Sequence, residues 1–197
     1  CRKYHSSGST GMPVTVLSDS NAEAYRAALF GRPFFECGMR YHDKMLRITD
    51  TENWHSKRFY EYFGLLRTAY ASPSINIQDQ LDSITRFNPD VIYGQSSFIH
   101  LLSKLIHEKK NRPISPRLVI GTSEMLNSKS RDFISSVFGS QMFDFYGCME
   151  VERVGWECPK HEGYHLDIDS QVIEFLKDEE PVAAGETGQI VVTCLYN

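Results

Sequence analysis

Four stretches of the chain hold residues whose types and spacing suit chemistry. Near the start, Ser6-Ser7-Gly8-Ser9-Thr10-Gly11 sets hydroxyl donors around two glycines. Glycine lets consecutive backbone N–H groups turn into one concavity, a nest that suits phosphate oxygens. The run holds no lysine and does not fit G-x-x-x-x-G-K-[ST], so it is not a Walker A loop. By itself such a run is more often a plain loop. Two further stretches, "GTSEML" (Gly121 to Leu126) and "DFYGCMEVE" (Asp144 to Glu152), each follow or end an apolar run that reads as a strand. An open parallel sheet presents ligand-binding loops at such strand ends. The second supplies an aromatic face in Tyr146, a glycine for close approach in Gly147 and a carboxylate in Glu150.

The fourth stretch, "ECPKHEGYH", spaces Cys158, His161 and His165 by three and four. Three N/S ligands suit Zn²⁺ when a fourth arrives from elsewhere, and Cys194 is a candidate. The other reading is a partly buried turn without metal, His165 packing beside Tyr164. Cys37 has no base in recognisable spacing and reads as a buried thiol rather than a nucleophile.

Those loops need elements to position them. Ser20 with Glu23 matches a capping box opening a helix through Leu29. "KMLRITD", "DVIYG", "RLVIG" and "MFDFYG" read as strands. Between them, Ile77, Leu81 and Ile84 fall on one helical face, ended at Asn88-Pro89. Phe98, Leu101, Leu102, Leu105 and Ile106 follow helical spacing. A further helix runs from Asn127, its cap, to Phe138, with Gly139 as the stop. This alternation predicts an α/β fold, a mostly parallel sheet with flanking helices. From Tyr164, "YHLDIDSQVIEFL" and "GQIVVTCL" read as antiparallel strands around a turn-rich segment. The expected organisation is an α/β part over 1–150 and a β-rich antiparallel extension over 151–197. The aromatic "RFYEYFGLL", Arg58 to Leu66, reads as a packed amphipathic element. Trp54-His55 and Tyr41-His42 read as surface or core aromatics, and "HEKKNR" as a solvated helix end.

Composition narrows the function. The net charge is −4 and no Lys/Arg cluster has the density of a phosphate-backbone binder, which argues against nucleic acid. No apolar run approaches the ~20 residues that span a bilayer, which argues against a membrane protein. Five scattered cysteines do not form a disulfide framework and read as reduced thiols, as in a cytoplasmic protein. The chain opens directly into the hydroxyl-rich run and stops inside a β-rich pattern, from which a piece of a longer protein is expected.

Taken in order, "SSGSTGMP", "GTSE", "DFYGCME", "WECPKHEGYH" and "PVAAGETGQIVVTCLYN" resemble motifs of the adenylate-forming enzymes, the acyl-CoA synthetase and ligase superfamily. The likeness is nearest to the phenylacetate–CoA ligase-like branch and its relatives in capsular polysaccharide biosynthesis. The resemblance implies that Ser7, Gly8, Ser9, Thr10 and Gly11 cradle the β/γ phosphates of ATP. It implies that Ser123 and Glu124 lie along the adenine and substrate boundary, and that Tyr146 stacks on the adenine, with Asp144 and Gly147 shaping that wall. Glu150 would hold Mg²⁺ while a carboxylic acid attacks the α-phosphate, and Tyr93 and Gly94 would line the acyl pocket. Coenzyme A is the implied thiol acceptor, and a homodimer is one expectation for the assembly.

The chain departs from the family pattern in two places. Met12 stands where the phosphate loop usually has lysine, and Met149 stands where a hydroxyl usually precedes the motif glutamate. The family's ribose-contacting aspartate and C-terminal catalytic lysine would fall beyond Asn197. These departures motivate two alternatives: a catalytically degenerate nucleotide-binding module, or a relative adenylylating another acceptor, such as a deazaflavin coenzyme or a capsule-assembly intermediate.

Overall fold

The computed structural model describes residues 2–5, 14–49, 59–109 and 114–196. Strands β1 (Arg2–His5) and β2 (Thr15–Ser18) pair antiparallel, with His5 opposite Thr15. Ser7, Gly8, Ser9, Thr10, Gly11 and Met12 lie outside the described residues, as do Trp54 and His55.

Helix α1 (Ser20–Glu36) corrects the expected start and end. Asp19, not Ser20, is the cap: its carboxylate accepts the Ala22 N–H at 2.8 Å. The helix continues beyond Leu29 because Phe30 and Phe34 pack inward, their ring centroids 4.8 Å apart. Pro33 has no N–H for the Leu29 carbonyl. The Arg153 guanidinium fills that gap, donating to Leu29 O at 3.1 Å and Phe30 O at 3.5 Å.

One sheet then organises the chain. In sequence its elements are β3 (Met45–Ile48), β4 (Thr68–Ala71), β5 (Val91–Gln95), β6 (Leu118–Thr122), β7 (Gln141–Tyr146), β8 (Gly155–Glu157) and β9 (Tyr164–Leu166). Their spatial order is β4-β3-β5-β6-β7-β8-β9. The first five run parallel, and β8 and β9 add antiparallel. Helices α2 (Ile77–Phe87), α3 (Ser96–Glu108) and α4 (Ser128–Phe138) make the crossovers. Helix α2 buries Ile77, Leu81 and Ile84 as their spacing predicts, and Asn88 ends it in the left-handed region. Helix α3 buries Phe98, Leu102 and Ile106 but leaves Leu101 exposed. Helix α4 has the predicted Asn127 cap and Gly139 stop.

Burial of apolar surface on both sheet faces holds these layers together. On one face Leu46, Ile92, Val119 and Met142 pack with α2, α3 and α4 residues. On the other, Val91, Ile120, Phe143, Phe145 and Trp156 pack with Phe34 of α1. The α/β expectation therefore holds, antiparallel strands included.

The run "YHLDIDSQVIEFL" is two strands rather than one. Asp167 pairs with Arg153 at 2.6 Å, and a turn closes with Ser170 N–H donating to Asp167 O at 3.2 Å. Tyr164–Leu166 stays in the large sheet. Strand β10 (Gln171–Lys177) opens a separate antiparallel sheet with β11 (Glu180–Pro181) and β12 (Gln189–Cys194). The "RFYEYFGLL" expectation is corrected as well. Phe59–Phe63 is a short 3₁₀ turn, and none of its residues is buried. Phe59, Tyr62 and Phe63 are 77%, 75% and 77% exposed. Among the described residues no helix is long and apolar enough to cross a membrane.

Candidate functional site

The parallel register sets Gly94, Gly121 and Asp144 side by side near the C-terminal ends of β5, β6 and β7. The segments holding Tyr93-Gly94, Ser123-Glu124 and Tyr146-Gly147 thus share one end of the sheet. At Gly94 φ is 155°, and an added Cβ would stand 2.4 Å from Ile48 Cβ, so this crossing admits only glycine. Tyr93 packs edge-on to Phe30 and Phe34, with centroids at 5.8 and 5.0 Å, and the Arg47 guanidinium lies 5.7 Å from its ring centroid. Burial raises the Tyr93 phenol above its ordinary value, with Arg47 opposing.

Glu124 has a definite structural task. Its carboxylate accepts the Ser97 N–H at 2.8 Å and the Ser97 hydroxyl at 3.0 Å, closing the start of α3, where Gln95 makes no side-chain cap. The preceding Ser123 turns the chain with φ 68°.

The most developed polar arrangement surrounds Asp144, which is only 8% exposed. Its Oδ2 accepts the Tyr164 hydroxyl at 2.5 Å, while Oδ1 is buried and has no partner among the described residues. Burial raises the Asp144 carboxyl above the usual range, and the hydrogen bond from Tyr164 opposes that shift. Tyr146, two residues on and so on the same face of β7, is half-exposed; its centroid lies 6.2 Å from that of Tyr164. Glu157 braces this group from β8. It accepts Asp144 N–H at 2.8 Å and takes Arg131 of α4 through both guanidinium nitrogens, at 2.8 and 2.9 Å. None of Tyr164, Glu157 or Arg131 carried a role in the sequence analysis. The signal for Glu157 was its type: a glutamate inside a short apolar strand must be paired.

After Tyr146 the chain makes a tight turn. At Gly147 an added Cβ would stand 2.0 Å from the Glu152 carbonyl oxygen. Val154 N–H returns to Tyr146 O at 2.8 Å, and Glu150 is exposed within the turn. Buried Arg26 of α1 holds this turn, donating to Glu150 O at 3.0 Å with its guanidinium 5.3 Å from the Tyr4 ring centroid. Helix α1, which follows the hydroxyl-rich run, is thereby tied to the turn that carries Glu150. Burial raises the Glu152 carboxyl, with Arg26, Arg47 and Arg153 opposing.

The zinc expectation is corrected. Among the described residues no group of three or more His, Cys, Asp or Glu side chains is placed to hold a metal ion. The ring of His161 stacks on Phe143 at 5.0 Å, with Nδ1 3.2 Å from Arg131 Nη1. His165, on the opposite face of β9 from Tyr164, stacks on Trp156 at 4.7 Å. Cys158 packs against the aromatic core, and Cys194 belongs to the other sheet. Cys37 is a buried thiol, pushed up to about 12 first by burial, and donates to Glu157 O at 3.4 Å.

No family model and no curated protein matches the chain. Solved structures do. An open conformation of 2-hydroxyisobutyryl-CoA ligase in complex with 2-HIB-AMP and CoA aligns with a TM-score of 0.81 at 16% identity, covering 100% of this chain and 45% of that one. The anthranilate CoA ligase AuaEII, in complex with anthranoyl-AMP, aligns at 0.75 and 20% identity over 100% of this chain and 39% of its own. The o-succinylbenzoate coenzyme A synthetase MenE of Bacillus subtilis, in complex with ATP and magnesium, aligns at 0.69 and 19%, over 98% and 41%. The chain spans less than half the length of each of these ligases, and over that length it has their fold.

Proposed function

We propose that the chain is the nucleotide- and acyl-binding part of an ATP-dependent, AMP-forming ligase. Such an enzyme joins a carboxylic acid to the α-phosphate of ATP, releases pyrophosphate, and passes the acyl group to coenzyme A. The observation that carries this reading lies at the end of β7, where an exposed Tyr146 ring and a buried, half-partnered Asp144 share one strand face. A ring face beside an acceptor-only carboxylate suits a flat heterocycle bearing an amine, as adenine does. Tyr146 would stack on the base, Asp144 Oδ1 would accept its amine, and Ser123 and Glu124 would lie along the adenine and substrate boundary. Ser7, Gly8, Ser9, Thr10 and Gly11 would take the triphosphate. Tyr93 and Gly94 would line the acyl pocket, and the sequence likeness to the phenylacetate–CoA ligase-like branch is the support for an aryl acid as substrate.

Hard cations take oxygen ligands, and the exposed Glu150 carboxylate fits that demand, so Glu150 would hold Mg²⁺, which when bound neutralises phosphate charge. The chain's own contribution is positioning. The Arg26 bond to the Glu150 backbone fixes the turn, and Glu124 fixes the loop after β6 by capping α3. Pyrophosphate exchange by the full-length protein with a panel of aryl and alkyl acids tests the reading. Exchange with aryl acids is expected; a folded protein silent with every acid would overturn it in favour of the degenerate nucleotide module.

A further inference from the structure

We infer that Tyr164 is a positioning residue for nucleotide selection: its hydroxyl locks the Asp144 carboxylate so that one oxygen faces the base as an acceptor. The inference rests on the nucleotide reading of Asp144 and Tyr146 and adds a residue from the edge strand β9, which that reading does not require.

Asp144 has three close polar neighbours: Tyr164 at Oδ2, Glu157 at its backbone N–H, and Arg131, which is engaged by Glu157. Among the described residues only Tyr164 hydrogen-bonds the carboxylate itself. A carboxylate free to turn about χ2 spreads its acceptors over many directions. Held at Oδ2 by a 2.5 Å bond, it has one remaining oxygen, and that oxygen is buried without a partner among the described residues. A buried acceptor left open is costly, so a ligand donor that fills it gains both a bond and relief of that cost. The donor must approach beside Tyr146, whose ring is tilted 57° to that of Tyr164 at 6.2 Å. An exocyclic amine on a stacked base meets this demand. A base with a carbonyl at the same position brings two acceptors together and is rejected.

The register makes the device possible. Tyr164 pairs with Glu157 across β8–β9, so both side chains stand on the Asp144 face, while His165 turns to Trp156 on the other. The tyrosine thus reaches Asp144 across β8, from the outermost strand of the sheet.

The test is a titration of the full-length protein, without acid, with ATP, purine riboside triphosphate (no exocyclic amine) and inosine triphosphate (a carbonyl there). The wild type is expected to favour ATP over purine riboside triphosphate by about 10- to 100-fold, the range for one bond to a charged acceptor. Tyr164→Phe should cut that preference below about threefold while changing purine riboside affinity less than about twofold, because only the amine contact depends on Asp144 orientation. In an Asp144→Ala background Tyr164→Phe should add nothing to the loss of preference. Tyr164→His, which keeps a ring and an N–H donor, should retain part of it and serves if the phenylalanine variant does not fold. An equal fall in affinity for both nucleotides would mean that Tyr164 is merely structural, and an undiminished preference would mean that Asp144 needs no lock; either overturns the inference alone. Failure of the wild type to bind any of the three would overturn the nucleotide reading itself.

Discussion

Replacing Gly147 by alanine tests whether the turn after β7 is as constrained as its geometry says. The added Cβ would meet three backbone atoms: Glu152 O at 2.0 Å, and Arg153 Cα and Glu152 C at 2.9 Å. No side chain can rotate away to make room, so the turn itself must move by more than 1 Å, since ordinary carbon contacts sit at roughly 3.5–4.0 Å. Overpacking a tight site costs about 1–3 kcal/mol, and a backbone obstruction belongs at the upper end. The Val154 N–H···Tyr146 O bond, 2.8 Å, spans the same turn and would be strained or lost, adding about 1 kcal/mol. The expected total is about 3–4 kcal/mol, read by urea unfolding as a lower midpoint with unchanged slope. Gly31→Ala is the control: Gly31 lies inside α1 with its nearest foreign atom, Phe35 Cε2, at 3.5 Å, so alanine should stabilise by roughly 0.5–1 kcal/mol. Pyrophosphate exchange by the Gly147→Ala variant should also fall where it is still folded, because Glu150 rides on the displaced turn. A loss under 1 kcal/mol with normal exchange would show that the turn is soft and that Gly147 constrains nothing.

Three further outcomes follow from other contacts. Arg26→Met removes the donor to Glu150 O and should lower exchange turnover about 10- to 100-fold with little change in KM for the acid; an effect confined to KM would refute the positioning role. Burial raises the Asp144 carboxyl, so the folded protein holds that proton more tightly than the unfolded chain, and stability falls as pH rises through the window between the two pKa values. Urea unfolding of Asp144→Asn and wild type should therefore differ more in favour of asparagine at pH 8 than at pH 4; Glu152, shifted the same way, cancels in the difference. Cys37, buried and pushed up to about 12, should resist iodoacetamide at pH 8 in the native protein and react in urea, whereas native labelling would show that the α1 end opens readily.

The central strands and α2, α3 and α4 were legible because each carries its periodicity within its own residues. "DVIYG" and "RLVIG" are β-branched runs buried on both faces, and Asn127 and Gly139 bracket α4 by local capping chemistry. What escaped has long-range causes. Helix α1 continues through Pro33 with Arg153, more than a hundred residues later, donating to the Leu29 carbonyl that proline leaves open. "TAYA" is an edge strand of four residues whose alternation is too short to show. The break at Asp167 depends on an ion pair with Arg153, which no local pattern announces. Cys158, His161 and His165 had ligand spacing, but the pleat of β9 and ring stacking send the two histidines to different partners. Spacing along a chain sets which residues can meet, and the sheet decides which do.

The same reasoning explains why the candidate site extends to the edge of the sheet. A parallel strand end gives a loop, and a loop alone holds side chains loosely. Here the loop after β7 doubles back at once as β8 and β9, so Glu157 and Tyr164 return to the Asp144 face within twenty residues of it. The antiparallel hairpin supplies Asp144 with a second layer of donors and acceptors from the strands beside its own. Arg131 then ties that layer to α4, and Arg26 ties the Glu150 turn to α1. Among the described residues, Glu124, Asp144 and the Glu150 backbone are each held from another element, so a motif that would by itself be a loop with suggestive composition gains its shape from a partner the local sequence does not show.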